Sequence, residues 1–145
     1  MCLIKKEEAE DLSQKRILIV DDQSYNIDVI KIILQSAFKM DTDLLCASAF
    51  NGKQAVEKVL KSIEFYNGVK CGYDLILMDC NMPFMDGYDA TVQIREQITE
   101  LKLDQPTIAA VTGHAEAHYV KRCFDSGMDK VFSKPIEIKN LKELL

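Results

Sequence analysis

Apolar residues fall along the chain in two rhythms. Apolar runs within residues 16–20, 75–78 and 107–111, each of the outer two opening on a polar residue, carry many branched side chains, the pattern of strands buried on both faces. A weaker run at 44–49 predicts a strand near a sheet edge, and Val131 and Phe132 predict a short fifth. Between these runs the apolar positions recur at helical spacing. Ile27, Ile30, Leu34 and Ala37 mark a helix with Ser24 as its cap, and Val56, Val59, Leu60 and Ile63 mark another entered through Asn51-Gly52. Ile94, Ile98 and Leu101 form a third stripe, broken at 104–106, and Ala117, Val120 and Phe124 form a fourth that Gly127 ends in a left-handed cap. Ile138, Leu141 and Leu145 begin the last. Residues 65–72 read as a loop, and residues 1–15, charged and without period, as a linker or lead-in to one domain spanning 16–145.

Strands that alternate with helices imply an α/β fold, a doubly wound parallel sheet of five strands covered on both faces, with the strand ends on one side. Asp21 and Asp22 end the first strand, Asp79 the third and Thr112 the fourth, while Lys134 follows the fifth. In such sheets ligands bind outside the carboxyl ends of the strands. Asp79 is expected to be held rigidly there and offered to solvent. After it, Asn81, Pro83 and Asp86-Gly87 predict a loop, with Asp86 placed to cap the next helix.

Three carboxylates forced together repel one another, and a hard divalent cation relieves the repulsion. Mg²⁺ suits Asp22 and Asp79, with Asp21 acting largely through water, because it takes oxygen ligands, keeps waters and needs few carboxylates. Lys134 adds a compact positive charge and Thr112 a hydroxyl donor. Such a set would hold a phosphoryl group carried covalently on Asp79.

Composition narrows the partners. The 145 residues are 48% hydrophobic and 28% charged, with net charge −5, which fits one globular domain and argues against a nucleic-acid surface. No apolar run has the length of a membrane span, and the first residues lack a signal peptide's apolar region, so no membrane contact and a cytoplasmic location are expected. Cys2, Cys46, Cys71, Cys80 and Cys123 form an odd set without a Cys-x-x-Cys pair and read as reduced thiols. Cys80, beside Asp79, is the one placed to meet oxidants, although a structural role is the expectation.

From about Arg16 onward the chain resembles a two-component response-regulator receiver domain of the CheY-like type. The matching pieces are Val20-Asp21-Asp22, the stretch from Leu77 to Gly87, Val111-Thr112, Gly127-Met128-Asp129 and Ser133-Lys134-Pro135, in order and on strand ends. The resemblance implies a sheet in the order 2-1-3-4-5 and a phosphorelay role in signal transduction. Asp79 would accept a phosphoryl group from the phosphohistidine of a histidine kinase or histidine phosphotransfer protein. Asp21, Asp22, Asp79 and the backbone carbonyl of Asn81 would bind Mg²⁺, Thr112 and Lys134 would contact the phosphoryl group, and the bond before Pro135 would be cis. The chain would catalyse its own phosphorylation and slow dephosphorylation without being a conventional enzyme. Asn51-Gly52, residues 87–91 and Gly127-Met128-Asp129 look most like receivers of hybrid histidine kinases. Many receivers carry an aromatic three residues before the Lys, where this chain has Val131, so signalling is expected to rest on Thr112 and its adjoining loop and helix. The face of the fourth and fifth strands and their helices is where a phosphorylation-dependent dimer would form.

Other readings compete. His114 and His118 are four apart but lack a third zinc ligand, and His114 lies two beyond Thr112, where it would tune the lifetime of the phosphorylated state. A haloacid-dehalogenase-like phosphohydrolase needs an acid two positions after its Asp, where Asn81 stands. A flavodoxin-like cofactor site would place phosphate against Asp21 and Asp22. A docking receiver that is never phosphorylated keeps the fold without the chemistry.

Overall fold

The apolar runs pair side by side. In the computed structural model, which describes residues 15–145, β1 (Ile17–Val20) is followed by α1 (Ser24–Phe38), α2 (Thr42–Leu45), β2 (Cys46–Ala49) and α3 (Gly52–Phe65). Next come β3 (Leu75–Met78), α4 (Gly87–Glu100), β4 (Thr107–Thr112), α5 (Ala117–Ser126), β5 (Lys130–Ser133) and α6 (Ile138–Leu144). All five strands are parallel, in the order β2-β1-β3-β4-β5. Of the expected lead-in at 1–15, residues 1–14, with Cys2, lie outside the described residues.

Alternate strand residues divide the core in two. Leu18, Val20, Ile76, Met78, Ile108 and Ala110 face a layer made by Val56 and Val59 of α3, Tyr88, Ile94 and Ile98 of α4 and Cys123 of α5. Ile17, Ile19, Leu75, Leu77, Ala109 and Val111 face Ile27, Ile30 and Leu34 of α1 and Leu141 and Leu144 of α6. That division is the two-residue period of strands, and burial on both faces is why these runs are almost wholly apolar.

Caps and breaks set the helix ends. Asn51 Oδ1 accepts from the Gln54 N–H at 2.9 Å and Asp86 Oδ1 from the Asp89 N–H at 2.9 Å, holding the starts of α3 and α4. Gly127, at φ 110°, ends α5 in the left-handed region. Arg95 on α4 clamps this end: Nε and Nη2 donate to the Gly127 carbonyl at 2.9 and 2.7 Å, Nη1 to the Pro106 carbonyl at 2.7 Å, and Nη2 pairs with Asp129 at 2.8 Å.

Several expectations need correction. Ser24 is the first helical residue rather than the cap of α1, and Gln23 precedes it without a side-chain cap. Leu44 and Leu45 belong to α2, because Asp41 caps that turn through the Leu44 N–H, so β2 starts at Cys46. On α5 the stripe of Ala117, Val120 and Phe124 is displaced: Phe124 is 50% exposed and Cys123 is the residue that enters the core. Ala37, Leu60, Leu101 and Ile138 are likewise exposed. Among the described residues no helix is long and apolar enough to cross a membrane.

Candidate metal centre

The parallel ladder brings the site together. Val20 pairs with Met78 in register, so the residues that follow them, Asp21 and Asp79, emerge side by side at the carboxyl edge. Carboxylate oxygens of Asp21, Asp22 and Asp79 lie within 4.8 Å of one another, the only cluster of three or more such acidic, His or Cys ligands among the described residues. Asp21 and Asp79 are buried and Asp22 is exposed.

A cation already answers part of this charge. Lys134 Nζ lies 3.0 Å from Asp21 Oδ2 and 3.3 Å from Asp79 Oδ2. Burial works against the Lys134 ammonium, but its hydrogen bond to Asp21 and the charges of Asp79 and Asp21 outweigh that and hold its pKa above the ordinary lysine value. Asp79 is left under-compensated. Burial, and then the Asp21 charge, push its carboxyl up to about 6, against the opposing pull of Lys134 and of the Asn81 N–H that donates to it. Asp79 is not openly offered to solvent as the sequence suggests: it is 5% exposed, beneath Lys134 and beside the 80–87 loop.

The backbone makes the close fit. A Cβ on Gly87 would overlap the Asp79 carbonyl oxygen, and the Gly87 N–H donates to the Cys80 carbonyl at 2.9 Å, folding the loop back under the acceptor. Thr112 is fully buried, and its hydroxyl accepts from the His114 N–H at 3.1 Å. The Lys134 N–H donates to the Thr112 carbonyl at 2.8 Å, which ties β4 to the lysine, and the Lys134–Pro135 peptide is cis.

The remaining candidates sit around this centre. Asn81 is exposed in the loop. His114 and His118 are exposed and stack on Tyr119, with ring centroids at 4.8 and 4.1 Å, and among the described residues no third ligand joins them. Val131 packs in the α3–α5 layer and Phe132 in the α1–α6 layer. Cys80 is fully buried, so it does not meet solvent directly, and burial pushes its thiol up to about 12. Cys46, Cys71, Cys80 and Cys123 are free thiols. Sequence reasoning missed Asn26, whose side-chain amide donates to Asp21 Oδ2 at 3.2 Å, while the Gln23 N–H donates to Asp21 Oδ1 at 2.9 Å. An Asn one turn into a helix after an acidic pair is the signal that could have marked it.

Oxygen donors only, excess negative charge and one exposed carboxylate fit a hard divalent ion such as Mg²⁺.

Residues 17–145 match the family described as the response regulator receiver domain. The Dictyostelium discoideum hybrid signal transduction histidine kinase A is 33% identical over 132 residues, covering 91% of this chain and 6% of that protein. Probable histidine kinase 2 of Oryza sativa is 32% identical over 145 residues, 97% of this chain and 13% of that protein. The chain thus spans a small part of these relatives' length. Among solved structures, the receiver domain of the histidine kinase CKI1 from Arabidopsis thaliana, complexed with Mg²⁺ and BeF₃⁻, superposes with a TM-score of 0.75 at 30% identity, covering 90% of this chain and 89% of that one. The receiver domain of the sensor histidine kinase PA1611 from Pseudomonas aeruginosa, with a magnesium ion in its active-site cleft, gives a TM-score of 0.68 at 30% identity, covering 89% and 92%. With the match running through every strand and through all the converging strand ends, the chain belongs to the response regulator receiver domain family, alongside receivers of hybrid histidine kinases.

Proposed function

We propose that this chain is an Mg²⁺-dependent phosphoacceptor in a phosphorelay, taking a phosphoryl group from a partner's phosphohistidine onto Asp79. The observation that carries the reading is the convergence of three carboxylates from two strands within 4.8 Å, facing the Lys134 ammonium.

Each residue has a task that its position supports. Asp22, exposed, and Asp79 would bind the ion directly, the Asn81 carbonyl would add a ligand, and Asp21 would act largely through bound water while Asn26 and the Gln23 N–H fix its orientation. When bound, the ion supplies positive charge to the phosphoryl oxygens and lets the acceptor stay ionised. An Asp79 carboxylate oxygen attacks phosphorus, the P–N bond breaks, and its electron pair returns to the donor imidazole, which takes a proton. Lys134 neutralises one phosphoryl oxygen and the Thr112 hydroxyl turns to donate to another, exchanging its bond with the His114 N–H. Hydrolysis returns the carboxylate when water attacks phosphorus and Asp79 leaves.

Recruiting Thr112 pulls on the loop that leads into α5. With Val131 in place of an aromatic, that loop and helix carry the change to the β4–β5 face, where a kinase, a phosphotransfer protein or a second copy would respond. The working location of such a module is the cytoplasm.

The test is incubation with Mg²⁺ and phosphoramidate, followed by intact-mass measurement. One added phosphoryl group is expected, lost in EDTA and in Asp79→Asn. No addition under conditions that leave the fold intact would favour a receiver used only for docking.

A further inference from the structure

One cluster beside the metal centre has no part in phosphoryl chemistry. Cys80 follows Asp79 directly and Cys123 lies in α5, yet their Sγ atoms are 3.6 Å apart in the core and both residues are fully buried. Tyr88 closes the cluster. It is 3% exposed, its hydroxyl lies beside the Cys80 sulfur, and the Arg122 guanidinium covers its ring at 4.0 Å.

The pair is in contact but not bonded. A disulfide needs its sulfurs at about 2.05 Å, so a short inward movement of one side chain or helix would close it. The helix able to move is α5. Cys123 is its only buried residue, whereas α4 buries Tyr88, Ala90, Thr91, Ile94 and Ile98. An element with so little apolar anchorage opens at lower cost than its neighbours, and opening admits an oxidant to sulfurs that the closed fold shields.

The geometry points to Cys80 and Cys123 as a dithiol that hydrogen peroxide converts into an intramolecular disulfide, pinning α5 to the residue beside Asp79. One sulfur attacks the peroxide, its S–H and the O–O bond break, an S–O bond forms, and the thiol proton leaves with the departing hydroxide as water. The second sulfur then displaces the sulfenic hydroxyl, which leaves with the second thiol proton as another water. Two thiols are oxidised by two electrons and one peroxide is reduced.

The reduced full chain is treated with hydrogen peroxide, quenched with an alkylating agent and mapped by tandem mass spectrometry. The proposal expects the loss of two hydrogen atoms, a linked peptide pair containing Cys80 and Cys123, Cys46 and Cys71 still alkylated, and full reversal by dithiothreitol. Amide exchange across α5 should slow at least tenfold in the oxidised form, a change that added oxygen on one sulfur would not produce. Cys123→Ala should give no linked peptide pair after the same treatment. Should that variant fail to fold, the linked-peptide map of the unaltered chain decides alone. Linkage through other cysteines, oxygen addition without linkage, or unchanged thiols while glutathione in the same tube is oxidised would each overturn it.

Discussion

Removing the charge of Asp79 should stabilise the metal-free protein, although it removes the acceptor. Burial and the Asp21 charge lift the Asp79 carboxyl from an ordinary 3.8 to about 6, so the folded state holds its proton more tightly than the unfolded chain does. Between those two values the native protein binds more protons, and stability from this group therefore falls as pH rises through the window. Above it the full penalty applies, about 3 kcal/mol at 1.36 kcal/mol per pH unit of displacement. The Asp79 side chain is only 6% exposed, so solvent screening takes little from that figure. Asp79→Asn keeps the shape of the neutral acid and escapes the penalty. In EDTA at pH 8 the variant should be more stable by about 3 kcal/mol, or melt roughly 6 to 12 °C higher for a domain of this size, and the gap should close by pH 4. The assay is urea unfolding followed by far-ultraviolet circular dichroism at several pH values. Mg²⁺ at about a hundred times its dissociation constant should then raise the unaltered chain by about 2.7 kcal/mol and narrow the gap. A variant no more stable than the parent at pH 8, or a gap indifferent to pH, would refute the reasoning.

Three other substitutions separate the roles of the site from those of the scaffold. Lys134→Ala removes the ammonium that competes for Asp21 and Asp79, so Mg²⁺ should bind more tightly by calorimetry while phosphorylation by phosphoramidate slows more than about tenfold. Gly87→Ala forces a methyl group into the Asp79 carbonyl and should cost more than about 3 kcal/mol in urea unfolding; an unchanged midpoint would show that the loop has slack. Arg95→Ala strips hydrogen bonds from the Gly127 and Pro106 carbonyls and should cost about 2 to 3 kcal/mol without changing Mg²⁺ affinity.

The strands were legible because burial on both faces leaves an unbroken apolar run, as at Leu75–Met78, and a run that ends in Asp marks where the sheet meets solvent. The helix faces were less so. On α5 it is Cys123 that enters the core beside Cys80, while the larger Phe124 next to it is half exposed, so the apolar stripe read from spacing was off by one position. Leu44 and Leu45 look like strand but follow an Asp41 cap that winds them into a turn of helix. Asn26, Arg95 and the Cys80–Cys123 contact act through partners that only the folded chain brings near, and the sequence order holds no trace of those distances. The sequence also overstated the openness of Asp79, because it cannot show that Lys134 lies across it.

The central claim is that Asp21, Asp22 and Asp79 form one pocket for a divalent ion beside the acceptor. Anomalous diffraction from crystals soaked in Mn²⁺ tests it most directly, since Mn²⁺ takes the same oxygen ligands as Mg²⁺ and is visible at its absorption edge. A single strong peak within bonding distance of the Asp22 and Asp79 carboxylates is the predicted result. A peak held by other acidic residues, or none at that edge of the sheet in crystals shown to contain the ion, would contradict it.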